Sequence, residues 1–213
     1  MLPLQAYPTV AWSQLKYNGD LDAVRKNWDG LKLFAKFWMN QVATKNATQY
    51  PGGFGDWVAP GKKSNGALTG MFATMHDLGL IAEMAQAIGD TDTAAAATAS
   101  RSKAGAEFHR AWYQEDKQCY SSCLQTENAF ALWVGADVVP SELVAGVVNQ
   151  TATDVLVTHS GHTTSGILGI KAIYEALSRL GRADVPVLMS AVTTYPSYGY
   201  MIHNQYEPAT TLW

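Results

Sequence analysis

Gly89-Asp90-Thr91-Asp92-Thr93-Ala94 is the stretch on which the fold turns. Before it, Leu68, Met71, Phe72, Met75, Leu78, Ala82 and Ala85 recur at helical spacing. After it, a second helical segment begins at 91. Glycine takes the left-handed conformation that ends a helix without a steric penalty. The aspartate that follows can offer its carboxylate to the free amides of the next helix. The stretch therefore reads as a tight link between two antiparallel helices. Gly19-Asp20-Leu21-Asp22-Ala23 repeats it, and Gly181-Arg182-Ala183-Asp184 is a weaker copy.

Working outward, Leu31, Phe34, Ala35, Trp38 and Val42 form one more apolar helical set. Ile167, Leu168, Ile170, Lys171, Tyr174, Leu177 and Leu180 form another, broken only by the lysine. The pattern predicts helices at 8–18, 21–44, 67–88, 91–113, 125–136, 141–153, 164–180 and 182–191. Long connections are predicted at 45–66, 114–124, 154–163 and 192–213. Short and long links alternate, so the tight turns should share one rim and the long loops the other. The fold class is all-α. Uneven spacing of the three glycine-aspartate turns favours a toroid of hairpins over a regular solenoid. A plain helical bundle or scaffold stays open at this point.

Composition narrows the function. Of 213 residues 47% are apolar, enough for a core, and 15% are charged, against about 25% in ordinary chains. The net charge of −3 comes without basic runs, which argues against nucleic acid and membrane surfaces as partners. No apolar stretch approaches the ~18 residues of a membrane span. Met1-Leu2-Pro3-Leu4 is too short and uncharged for a signal peptide. On a helix Cys119 and Cys123 would stand four residues apart; in a loop a local bridge is open, and two free thiols are favoured over it. Asn46-Ala47-Thr48 and Asn149-Gln150-Thr151 match the glycosylation triplet, which chance often produces. Secretion and cytoplasmic residence both stay open.

Three loops carry unusual chemistry. Tyr50-Pro51-Gly52-Gly53-Phe54-Gly55-Asp56-Trp57 crowds glycines around a carboxylate and an indole. That pairing suits a sugar, whose hydroxyls want a charged acceptor and whose C–H face wants an aromatic platform. A tight turn with Trp57 as a core plug and Asp56 as a helix cap accounts for it as well. Thr158-His159-Ser160-Gly161-His162-Thr163-Thr164-Ser165-Gly166 is dense in hydroxyls and imidazoles. Its histidines lack the further ligands of a metal site, so no metal is expected. Thr163 or Thr164 reads as a helix cap, and one histidine can reach a substrate hydroxyl. The third loop runs from Tyr195 to Trp213 and holds Tyr195, Tyr198, Tyr200 and Tyr206. A nucleophile elbow, a phosphate loop and a dinucleotide fingerprint are all missing.

Four segments, taken in order, resemble the α-L-rhamnosidases of glycoside hydrolase family 78. They are Phe54-Gly55-Asp56-Trp57, His162-Thr163-Thr164-Ser165-Gly166-Ile167-Leu168-Gly169, Pro196-Ser197-Tyr198-Gly199-Tyr200-Met201 and Glu207-Pro208-Ala209-Thr210-Thr211-Leu212-Trp213. The resemblance implies an (α/α)6 toroid of six hairpins, of which about eight of twelve helices are expected here. It implies removal of terminal α-L-rhamnose from glycosides or polysaccharides, with inversion and no cofactor. Inversion uses one carboxylic acid on the leaving oxygen and one carboxylate on water, roughly 6.5–9.5 Å apart.

The resemblance places the general acid upstream of the Gly-Asp-Trp motif and the general base just after Thr-Thr-Leu-Trp. Residues 1–50 offer only Asp20, Asp22 and Asp29 as aspartates, all readable as caps or helix surface, and the chain stops at Trp213. Residues 1–213 are therefore expected to be part of a catalytic domain, truncated at both ends, without a catalytic carboxylate and inactive by itself. What carries over is substrate contact, by Asp56, Trp57, His162, Tyr198, Tyr200, Glu207 and Trp213. Missing hairpins would leave apolar faces open to self-association. Another six-hairpin glycosidase or lyase, and a non-catalytic sugar-binding or scaffold remnant, are the competing readings.

Overall fold

The computed structural model describes residues 6–51 and 55–206. They form an all-α protein with one short β-hairpin. The long helices are α1 (Ala6–Asn18), α2 (Leu21–Thr44), α3 (Gly66–Ile88), α4 (Thr91–Trp112), α5 (Gln125–Val134), α6 (Val144–Thr153), α7 (Ile167–Arg179) and α8 (Asp184–Ala191). A short α9 covers Tyr198–His203. The predicted helices are thus present within a few residues at each end. The chain divides into two compact units. One comprises residues up to Phe54 with Gly66–Ala111, the other Gly55–Asn65 with everything from Trp112 onward.

Each unit is built from hairpins. The turns α1/α2, α3/α4 and α7/α8 carry Gly19, Gly89 and Gly181 at φ +67°, +85° and +82°. A Cβ at any of them would meet nothing within 4 Å. Glycine is needed there for its backbone freedom, not for space. Gly135, φ +82°, closes α5 in the same way. The capping aspartates behave as expected at the first two turns. Asp20 accepts from the amides of Asp22 and Ala23. Asp90 accepts from Thr93 N at 3.0 Å and from the Trp28 indole at 2.9 Å, which ties the α3/α4 turn to α2. These bonds, Thr93's first, hold the Asp90 carboxyl below its ordinary range. At the third turn Asp184 instead pairs with Arg182.

In the first unit α2 buries one stripe, Val24, Trp28, Leu31, Ala35, Trp38 and Val42, as a helix lying on a core does. By contrast, α3 is buried almost all round, from Leu68 to Ala85. It packs against α1 and α2. Each fully buried Leu, Ile, Phe or Met contributes roughly 1.5–3 kcal/mol. One polar group runs against this pattern. Asp77 is fully buried on α3, and its Oδ2 has no hydrogen-bond partner. Burial pushes its carboxyl up to about 6, against the opposing influence of His76.

In the second unit α5 plays the central part. Its residues Gln125–Leu132 are all buried, and it packs closely along α7 and against α6. Before it, Tyr113–Gln114 and Cys119–Tyr120 pair as an antiparallel hairpin. Here the sequence expectation for the cysteines is corrected. Cys119 and Cys123 form a disulfide. The connection predicted at 114–124 folds as a hairpin and turn, and it brings the two Cα atoms to 5.2 Å. Among the described residues no helix is long and apolar enough to cross a membrane.

Candidate functional site

The Asp56 loop meets the start of α7 within the second unit. Asp56 is 1% exposed. Its Oδ1 accepts from Leu168 N at 3.0 Å and Gly169 N at 2.9 Å. Its Oδ2 accepts from Gly166 N at 2.7 Å and from the Thr126 hydroxyl. These are the free amides that open a helix, so α7 is capped by a carboxylate more than a hundred residues away. The expectation that Thr163 or Thr164 caps α7 is corrected. Thr163 Oγ1 accepts from Ser165 N instead. The same geometry explains Gly-Ile-Leu-Gly at 166–169. A Cβ on Gly166 would strike the Trp57 carbonyl, and one on Gly169 would strike Thr126 Oγ1 and Asp56 Oδ2.

Trp57 is held by its backbone, its carbonyl accepting from Ile167 N at 2.9 Å. Its side chain is 58% exposed, which removes the reading of it as a core plug. Val58 follows at φ +59°, a costly conformation for a β-branched residue. His162 sits on a turn that follows a π-helical turn, Asp154–Thr158. Its Nδ1 lies 2.7 Å from the His159 carbonyl, so Nδ1 must carry the proton. Its Nε2 lies 2.7 Å from Thr194 Oγ1. His159 turns instead to Asp154, 3.2 Å from Oδ2. The two histidines thus serve different partners, and among the described residues no group of three or more metal-ligating side chains forms.

A cavity of about 360 Å³ opens beside these loops. Val58 and Pro60 line it just after the first segment, Thr163, Ser165 and Gly166 from the second, and Tyr195, Pro196, Ser197, Tyr198 and Met201 from the third. Ile167, Ile170, Lys171 and Tyr174 of α7 and Met189 of α8 complete it. Tyr174 and Tyr198 meet edge to face at 6.0 Å, and burial raises the phenol pKa of both. Tyr195 meets Tyr200 in the same way at 5.5 Å. Ser165 is 5% exposed and its Oγ has no hydrogen-bond partner. Lys171 pairs with Glu175 and lies 4.7 Å over the Trp133 ring. None of the described lining residues is an aspartate or glutamate.

Of the residues singled out from sequence, Tyr198 lines the cavity and Asp56 and Trp57 precede the lining residue Val58. His162 adjoins Thr163, and Tyr200 touches the lining Tyr195. Glu207 and Trp213 lie outside the described residues, as does Phe54.

Sequence reasoning missed Gln125-Thr126-Glu127-Asn128. All four are buried at the start of α5. Gln125 accepts from Thr164 N at 2.9 Å and donates to the His162 carbonyl at 3.2 Å. Thr126 donates to Asp56. Glu127 accepts from Asn65 N at 3.0 Å with one oxygen and from Ser122 and Leu124 amides with the other. Asn128 accepts from Tyr120 N at 2.8 Å and donates to Gln150. The available signal was four polar residues in succession where a helix enters the core.

Comparison with known proteins agrees with this architecture. The chain is 26% identical over 208 residues to an α-L-rhamnosidase of Formosa agariphila, a match covering 92% of this chain and 21% of that protein. An α-L-rhamnosidase of Alteromonas sp. is 24% identical, covering 96% of this chain and 22% of its own length. The chain thus spans about a fifth of the relatives it matches. Among solved structures, the α-L-rhamnosidase of Dictyoglumus thermophilum superposes with a TM-score of 0.85 at 28% identity, over 98% of this chain and 23% of that one. The Streptomyces avermitilis enzyme, solved in complex with L-rhamnose, gives 0.79 at 21% identity, over 91% of this chain and 18% of that one. The expected fold class, an all-α part of an (α/α)6 six-hairpin toroid, agrees with these relatives. The family described as bacterial alpha-L-rhamnosidase 6 hairpin glycosidase domain matches residues 4–213, and the chain belongs to that family of glycoside hydrolase domains.

Proposed function

We propose that residues 1–213 are part of the catalytic domain of an inverting α-L-rhamnosidase and form part of the wall that holds the rhamnose. One observation carries the reading. Three stretches far apart in sequence, each carrying or directly following a family-like motif, line one cavity of about 360 Å³. Its chemistry suits a deoxyhexose. Tyr174, Tyr195 and Tyr198 offer flat apolar rings with polar tips, Met189 and Ile170 offer surface for a methyl group, and Ser165 Oγ offers an unspent hydrogen bond. In this reading Trp57 and Tyr198 contact the sugar, His162 and Tyr200 support that contact, and Asp56 serves from beneath by fixing the loop. Glu207 and Trp213, outside the described residues, are assigned to the same sugar contact by the family resemblance alone.

Inversion needs two carboxylates, on opposite faces of the sugar. The described wall supplies shape and hydrogen bonds but no carboxylate. The 213-residue chain should therefore bind rhamnosylated ligands without turning them over. Titration of the purified chain with L-rhamnose, against D-glucose as control, tests the first half; incubation with an aryl α-L-rhamnoside tests the second. Saturable rhamnose binding without released phenol is the expected result. No discrimination between the two sugars would remove the binding site, and steady turnover would remove the inactivity.

A further inference from the structure

The first turn of α5 buries Gln125, Thr126, Glu127 and Asn128 in succession. Apolar side chains would hold a helix in a core at lower desolvation cost, whereas buried polar groups must each find a partner. What these polar groups add is direction. Two of the four are aimed at the loops that bear the proposed sugar contacts. Gln125 grips the His162 carbonyl and the Thr164 amide at once, by donor and acceptor. Thr126 donates to the Asp56 carboxylate, which also holds the Gly166, Leu168 and Gly169 amides. Val58, two residues after Asp56, stands at φ +59°. A β-branched residue keeps such a conformation only where its surroundings over-determine it.

We infer that Gln125 and Thr126 are positioning residues for the rhamnose site, setting His162 and Trp57 through the loop backbones they grip. The inference rests on the proposed sugar site. Neither residue need touch the sugar. Gln125 supplies one donor and one acceptor to a single loop, so Gln125→Glu puts an acceptor against the His162 carbonyl and repels it. Thr126→Val removes the hydroxyl at nearly constant shape, and Thr126→Ser keeps it.

The test uses the full 213-residue chain, with L-rhamnose as the probe and every variant well below its melting temperature. Gln125→Glu and Thr126→Val should weaken rhamnose binding by about tenfold or more, while Thr126→Ser stays within about twofold of the parent. Amide exchange should rise at Thr164 in Gln125→Glu and at Gly166, Leu168 and Gly169 in Thr126→Val. A purely structural role predicts lower melting temperatures with affinity and local exchange unchanged, and that result overturns the inference. If Thr126→Val does not fold, Gln125→Glu decides. If the parent chain binds no rhamnose, the proposed function falls. The exchange pattern alone then decides whether these two residues set the loops.

Discussion

Asp56→Asn is the most informative single change, because it alters charge and one acceptor while keeping shape. The carboxylate accepts four hydrogen bonds, two at each oxygen. Asparagine has one acceptor oxygen and one NH2 group. With its oxygen toward Leu168 and Gly169, those two amides stay satisfied and the Thr126 hydroxyl can rotate to accept. The Gly166 amide is then left facing a donor. The opposite flip strands both Leu168 and Gly169, so the first is adopted. An orphaned buried donor costs roughly 1–3 kcal/mol, and two bonds falling from charged to neutral cost about 1 kcal/mol each. Relief from burying a carboxylate offsets part of this. The net loss should be about 2–4 kcal/mol, with Asp56→Ala worse because all four donors lose their acceptor. Urea denaturation gives the loss, and amide exchange locates it at Gly166 first. A loss below about 1 kcal/mol, with Gly166 exchange unchanged, would refute the argument that this carboxylate organises α7.

Four other outcomes follow from the same structure. Gly169→Ala should destabilise by roughly 2 kcal/mol, against the gain of up to about 1 kcal/mol that Gly→Ala gives in an ordinary helix; a gain in urea midpoint would disprove the close approach of Thr126. Asp77, raised from 3.8 to about 6, keeps a proton when folded that the unfolded chain releases. Its contribution is therefore present below pH 4 and lost as pH rises to about 6, a fall of about 3 kcal/mol that Asp77→Asn should abolish in a pH series of melts. Reducing Cys119–Cys123 should cost about 2 kcal/mol by the loop-entropy relation, read as a lower melting temperature with dithiothreitol in the parent and no change in Cys119→Ser. Exposed Val187, Leu188, Tyr195 and Ile202 in the second unit, and Leu33 and Phe37 in the first, should drive self-association; a single monomer peak across a concentration series in light scattering would contradict it.

The helices were legible in the sequence because their signals are local. Apolar spacing on α2 and α7, and the glycine-aspartate turns at 19 and 89, depend on neighbours a few residues away. Gly135 escaped because no aspartate follows it directly. The disulfide escaped for a different reason. Both cysteines fall in the connection predicted at 114–124, but no periodicity says that this connection folds back as a hairpin. Ser121 and Cys123 stand at φ +53° and +63°, positions that no periodicity describes.

The site was only half legible, and the missing half has a common cause. Asp56 and Trp57 stood out by type, yet what Asp56 does depends on Gly166, Leu168, Gly169 and Thr126, all distant in sequence. A cap supplied from across the fold leaves no mark beside the helix it caps. It leaves marks elsewhere, as glycines at 166 and 169 where a Cβ would collide and as buried polar residues with no local partner. Gln125 and Thr126 were such a mark. A helix start rich in hydrogen-bonding side chains, followed directly by the apolar run Ala129–Leu132, means that those side chains bond to something remote, because burial without partners costs too much. The remote partners of Gln125 and Thr126 are the loops at 56 and 162, the same two loops that the family-like motifs mark.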